Sequence, residues 1–408
     1  MLKSYAKIIY ILGSVGLCYF SFIHTAQSVT FTYNPNATSI CYYNLPELAP
    51  LSAPRTLVVD NTLPVGAELY HWGYNEFIPN INAYCQSSGK LPTPTGIISM
   101  YFFPVTGIAP DANGVYPTSI SGIGIKFYFT YTSKGTSIYS SPYATTSLLG
   151  GTGNWLAANE PLNIEYSFTA DMIGSRFYND IQNSSNYYLS QQANNAAYSI
   201  RAVLVKTGSI GYSSTPLSMS RASTVQVGGL SGNLPVPNVI GGGGITVIPP
   251  ACRLKASTDY TINMGRWVHS GPGSRQPGVS LPAYGPIVPV DINLECSGRV
   301  DNISFRFEDV GSSPLTNNNI SLYDSGGTKI DGLEIVLFYG SNKINADNVS
   351  QVGLGSWGET NTNPKDTSFK PSIARFTAYY AQRAPIQRNG VSYTGPVTGK
   401  VNMYVTYY

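Results

Sequence analysis

The chain ends in Val401-Asn-Met-Tyr-Val-Thr-Tyr-Tyr408, a strict two-residue alternation. Val401, Met403, Val405 and Tyr407 fall on one side, and Asn402, Tyr404, Thr406 and Tyr408 on the other. This period is that of a β-strand with one face on a core. It runs to the last residue given, so the strand is expected to offer a backbone edge to a partner. The same signature recurs in Ile98-Ser-Met-Tyr-Phe-Phe103, in Ile123–Tyr131, in Tyr198-Ser-Ile-Arg-Ala-Val-Leu-Val-Lys206 and in Leu333–Tyr339. These stretches are rich in β-branched and aromatic residues and are separated by turn residues, as β-sandwiches require. No long amphipathic helix is legible, and Ala193–Ala197 reads as one short helical turn. An all-β chain is expected.

The start of the sequence is of a different kind. Lys3 and Lys7 precede an apolar run from Ile8 to Ile23, and Ala26-Gln27-Ser28 is a small-x-small site. Residues 1–28 therefore read as a secretory signal peptide, with Val29 the first mature residue. Of five cysteines, Cys18 leaves with that segment. Cys41, Cys85, Cys252 and Cys296 remain, an even number in an exported chain, which implies disulfides. Four cysteines allow three pairings. Cys41 with Cys85 and Cys252 with Cys296 fit best, because each pair then lies inside one domain.

Charged residues make up only 11% of the chain. Low charge with many tyrosines is unlike a disordered segment and suits an extracellular β-protein with a hydroxyl- and amide-rich surface. No basic cluster supports nucleic-acid binding. About 380 residues follow the signal, enough for two domains. A break is expected at residues 239–249, where Gly241 to Gly244 are flanked by prolines, and this stretch reads as an interdomain linker free to pivot. The domains are then 29–238 and 250–408.

The second domain resembles the pilin domain of chaperone–usher fimbrial subunits. The resemblance rests on Ala251-Cys-Arg-Leu-Lys255, on Pro289-Val-Asp-Ile-Asn-Leu-Glu-Cys296, and on a tail with Gly395 at its head and Tyr407 as penultimate residue. It implies two immunoglobulin-like β-sandwich domains, the second an incomplete pilin fold lacking its last strand. Gly395, Val401, Met403, Val405 and Tyr407 would mark the strand that pairs with a periplasmic pilus chaperone and then with the next fimbrial subunit, which donates the missing strand at an outer-membrane usher. Because a folded domain precedes the pilin domain, the resemblance implies a tip subunit, exported through the periplasm to the fimbrium tip at the bacterial surface. Val29–Tyr33 also alternates and is read as a strand of its own domain. Tip subunits of this layout are adhesins with a lectin-like first domain, so a host glycan or glycoprotein receptor is expected. The alternatives are a protein receptor, or a structural tip cap without lectin activity.

Sugar binding calls for planar amides or carboxylates beside an aromatic face. Three stretches of the first domain supply both: Tyr70–Glu76, Gly153–Glu160 and Tyr178–Tyr188 with its continuation to Asn195. The candidate ligand residues are Trp72, Asn75, Trp155, Asn159, Asp180, Asn183 and Asn186. Enzymatic readings are poor. Glu76, Asp111, Glu160, Glu165, Asp171 and Asp180 show no motif that pairs any two as a glycosidase needs. His71 has no G-x-S-x-G elbow beside it. With His24 in the signal segment, the mature chain keeps only His71 and His269, which excludes a three-histidine metal site within one chain. Neither metal nor cofactor is expected.

Overall fold

The computed structural model describes residues 39–45, 48–87, 98–135, 146–150, 152–156, 162–178, 180–181, 187–188, 195–227, 233–235, 239–255, 259–268 and 280–407. The signal segment and Val29–Tyr33 lie outside them. The described residues hold β-strands, one 3-10 turn at Pro50–Ser52 and no α-helix. Two cores form, one from Cys41 to Val247 and one from Cys252 to Ile386. The described residues are all-β and form two stacks of sheets, one around each core.

The first core is organised by Asn195–Lys206, which lies between Ile78–Ser87 and Ile123–Lys134 in a seven-stranded sheet. Its inward residues Ala196, Tyr198, Ile200, Ala202 and Leu204 are buried, as are Phe127, Phe129 and Tyr131 on the neighbouring strand. A five-stranded sheet built on Ile98–Phe103 and Ile173–Phe177 supplies further members of the same core. The Tyr131 hydroxyl joins the two sheets by donating to the carbonyl of Gly174 at 2.8 Å. Residues 195–197 begin a strand instead of a helical turn, because ladder bonds to two neighbours outweigh the weak local preference of alanine.

The glycine-rich stretch is not a free linker. Gly242–Ile248 is a strand that pairs in parallel with Arg55–Val58 and antiparallel with Leu217–Ser218. Val239, Ile240, Ile245 and Val247 are buried in the first core. The glycines serve close approach: a Cβ on Gly244 would stand 2.3 Å from the Ser52 carbonyl, and Gly241 has a φ of +75°. The crossing between cores is therefore short, at Pro249-Pro250.

The crossing is buttressed by a buried carboxylate. Asp60 is 0% exposed. Its Oδ2 accepts the backbone N–H groups of Arg299 and Asn361 from the second domain, each at 2.9 Å. Its Oδ1 is buried without a hydrogen-bond partner, and a Cβ on Gly298 would come within 2.4 Å of it. Nearby, the Val58 N–H donates to the Pro364 carbonyl at 2.9 Å, and the Thr62 and Thr360 hydroxyls meet at 3.2 Å.

The second domain has an eight-stranded sheet whose main path runs Cys252–Leu254, Val288–Cys296, Lys370–Arg388, Lys329–Tyr339, Ile320–Tyr323. A three-stranded sheet runs Asp347–Trp357, Val300–Asp309, Val401–Tyr407. Phe305, Phe307 and Phe376 pack edge-to-face at its centre. Both disulfides, Cys41–Cys85 and Cys252–Cys296, join residues directly opposite on adjacent strands.

Asp60→Ala is expected to leave two interdomain N–H groups without an acceptor and cost about 1–3 kcal/mol. In calorimetry of the full chain, the two domains should then unfold more independently than in the wild type. Burial raises the Asp60 pKa, with the Arg299 and Asn361 hydrogen bonds opposing it. The native state thus holds this proton more tightly than the unfolded chain. The Asp60 contribution to stability should fall as pH rises from the unfolded value of about 3.9 to the raised native value. The difference in melting temperature between wild type and Asp60→Asn across that window reads this directly. A constant difference would remove Asp60 as the titrating group.

Candidate functional site

The terminal strand lies at a sheet edge. Val401–Tyr407 pairs antiparallel with Ile303–Asp309, from Ile303 opposite Tyr407 to Asp309 opposite Val401. On its other side it has no strand partner among the described residues. Val401, Met403 and Val405 point to the core but are only half-buried, whereas Ile303, Phe305 and Phe307 on the next strand are buried. The outward face is tied down by Glu308, which accepts from the Tyr404 hydroxyl at 2.7 Å and from the Asn402 amide at 3.3 Å. The Arg306 guanidinium lies 4.4 Å over the Tyr404 ring. Tyr407 itself is exposed.

A second segment behaves in the same way. In Asp259–Met264 exposed and half-buried residues alternate, with Tyr260, Ile262 and Met264 half-buried, yet the segment belongs to no strand. Tyr260, Met264 and Trp267 pack on the same core as Val401, Met403 and Val405. The Trp267 indole N–H donates to Gln382 at 3.0 Å. Two apolar rows therefore border one core, and neither is fully covered.

The sequence-derived ligand residues of the first domain separate. Trp72 is 3% exposed and packs against Tyr70 and Phe77 at ring distances of 4.6 and 5.5 Å. It is a core residue and presents no free ring face, which corrects its place among the candidates. Asn75 is exposed, in a turn closed by the Gly73 N–H on the Glu76 carboxylate at 2.9 Å. Trp155 is half-buried, with the Arg176 guanidinium 3.7 Å over its ring and Tyr101 at 6.4 Å. Asp180 begins a two-residue strand and pairs with Tyr188. Its side chain, and all of Asn159, Asn183 and Asn186, lie outside the described residues.

One polar group was not legible as a unit. Arg201 grips Glu165 through two hydrogen bonds, at 2.7 and 2.6 Å, and the Tyr74 hydroxyl donates to the same carboxylate at 2.6 Å. The Arg201 guanidinium also lies 3.9 Å over the Tyr128 ring. The Arg201 hydrogen bonds hold the Glu165 pKa below the ordinary range, and burial followed by the Glu165 contact pushes Tyr74 up. Its only sequence signal is one arginine at an outward position of an otherwise apolar strand. Among the described residues, no three His, Cys, Asp or Glu side chains are placed to hold a metal. Likewise, no helix there is long and apolar enough to cross a membrane.

Strand ends sort by level. Ser87, Lys134 and Asn195 end or begin strands at one level of the seven-stranded sheet, as Ile98, Thr146 and Phe177 do in the other. Residues 88–97, 136–145 and 178–194 depart from or return to these ends. The opposite end of Asn195–Lys206 leads to Ile210, whose N–H donates to Asn61 beside the Asp60 junction at 2.9 Å. The amide-rich stretch thus departs from the end of the sheets remote from the second domain.

Neither protein-family models nor curated protein sequences match this chain. Among solved structures it is similar to the CupB6 tip adhesin from Pseudomonas aeruginosa, with 13% identity and a TM-score of 0.46 over 90% of this chain and 94% of that one. It is also similar to the P pilus rod subunit PapA, with 16% identity and a TM-score of 0.24 over 40% of this chain and 100% of that one.

Trp72→Ala is expected to cost about 3–5 kcal/mol, as for a buried aromatic. Trp155→Ala, at a half-exposed site, should cost about 1 kcal/mol or less. Chemical denaturation of the two variants would distinguish them, and equal losses would place both rings in the core.

Proposed function

We propose that this protein is a fimbrial tip adhesin of the chaperone–usher type. Its second domain takes up a strand from a partner, and its first domain binds a glycan receptor. The observation that carries the first half is the pair of half-covered apolar rows, Tyr260, Met264 and Trp267 with Val401, Met403 and Val405, on one core beside a strand edge unpaired among the described residues. An extended segment placed there would gain main-chain hydrogen bonds along Val401–Tyr407, and its alternate side chains would cover those rows. A periplasmic chaperone and then a neighbouring subunit are the partners proposed. A disulfide in each domain suits passage through an oxidising compartment.

The glycan half is supported by chemistry and position. The amide-rich 178–194 stretch, with Asp180, Asn183 and Asn186, is joined to the strands that end at Phe177 and begin at Asn195. Asn75 is exposed and Trp155 half-exposed, but they stand apart from each other and add no second half to that stretch. The described acids lack a catalytic layout. Glu165 is held by Arg201, Asp111 caps its own turn through the N–H groups of Asn113 and Val115, and Glu76 closes a turn. Weak single-site affinity would be offset by many fimbriae per cell.

The strand-uptake half is tested by adding a peptide of alternating apolar residues to the full chain. At about 100 times its Kd, the peptide should stabilise the protein by about 2.7 kcal/mol. A peptide of the same composition with its alternation broken should not. Met403→Asp should abolish the gain. Equal responses to both peptides would overturn the reading.

A further inference from the structure

The outer face of the seven-stranded sheet carries a second kind of surface near its remote end. Ser39–Asn44 and Ile78–Ser87 run side by side, with Tyr42 opposite Tyr84 and Asn44 opposite Asn82. On the next strand Asn195 lies opposite Tyr84 and Ala197 opposite Asn82. Alternation sends Cys41, Tyr43, Ile81, Ala83 and Cys85 into the core and leaves the tyrosines and asparagines half-exposed on the other face. The two tyrosine rings stack at 4.7 Å with planes 22° apart.

Three features of this face call for a ligand. Asparagine is disfavoured in strands, yet two stand opposite each other on one rung without a hydrogen bond to any described residue. Each amide keeps both its donors and its acceptor available. The two rungs carry no charged side chain. The Cys41–Cys85 disulfide joins the same two strands one residue from the tyrosine pair, on the opposite face, and so fixes the rung geometry before any ligand arrives. Strand and residue spacings make the patch about 10 by 7 Å, the footprint of one or two sugar rings. Ala197 is the small side chain on the rung of Asn82.

We infer that this face, formed by Tyr42, Tyr84, Asn44 and Asn82 with Gln86 and Asn195 at its margin, binds a neutral pyranose. The apolar side of the sugar stacks on a tyrosine ring, and the asparagine amides take neighbouring hydroxyls. The inference rests on the glycan reading above and adds the sheet face to the 178–194 stretch as a contact surface.

The test uses the full chain on an array of mannose-, galactose- and N-acetylglucosamine-terminated oligosaccharides with their sialylated counterparts. The wild type should bind neutral glycans, with no gain from sialylation. Tyr84→Ala and Asn82→Ala, at unchanged melting temperature, should each weaken binding about tenfold, as for loss of one stacking or bidentate contact. Tyr84→Phe should retain it. If Tyr84→Ala does not fold, Asn82→Ala and Tyr84→Phe still decide. Binding unaffected by these changes but lost in Asp180→Ala/Asn183→Ala would overturn the face and leave the lectin reading in place. A folded, disulfide-intact wild type that binds no glycan would overturn both.

Discussion

Every backbone N–H and C=O in a β-protein needs a partner, and this constraint shapes the molecule. Inside each sandwich the ladders meet it. Asn195–Lys206 and Lys370–Arg388 are paired on both sides over much of their length and contribute buried residues to the two cores. What remains is at the edges. In the first domain the small sheet with Gly242–Ile248 extends the pairing up to the crossing. In the second domain Val401–Tyr407 is an edge strand with one partner among the described residues. The proposed function rests on that edge, because it stands above a partly covered core.

Much of this was legible in the sequence. Period-two alternation located Ile98–Phe103, Ile123–Tyr131, Tyr198–Lys206, Leu333–Tyr339 and Val401–Tyr407, because a strand with one buried face writes its burial into every second residue. The cysteine pairs were legible because each closes a loop within one domain. The glycine run was misread. Composition gives the freedom of glycine in isolation, but Gly241 and Gly244 are fixed by the approach of Ser52, a contact formed across the fold. Trp72 and Trp155 look alike in sequence, and only the third dimension separates the ring packed on Phe77 from the one lying under Arg176. The Tyr74–Glu165–Arg201 group escaped notice because its members are brought together by strand pairing and not by spacing.

The junction bears on the mechanics of the proposed adhesin. Load between a receptor on the first domain and a partner along Val401–Tyr407 must pass through Pro249-Pro250 and the contacts around Asp60. A linker of free glycines would let the first domain pivot without resistance. The observed strand instead continues the first domain to the crossing, and Asp60 binds two backbone groups of the second domain where water is excluded. Such contacts are stronger than in water, but they act over a short range, and Oδ1 has no partner to replace the solvent it has lost. A small separation would rehydrate the carboxylate and release the N–H groups of Arg299 and Asn361 together. The junction would therefore resist small displacements and lose both Asp60 contacts together once it opened. A junction that opened in one step would hold the two domains in register more firmly than a flexible tether could.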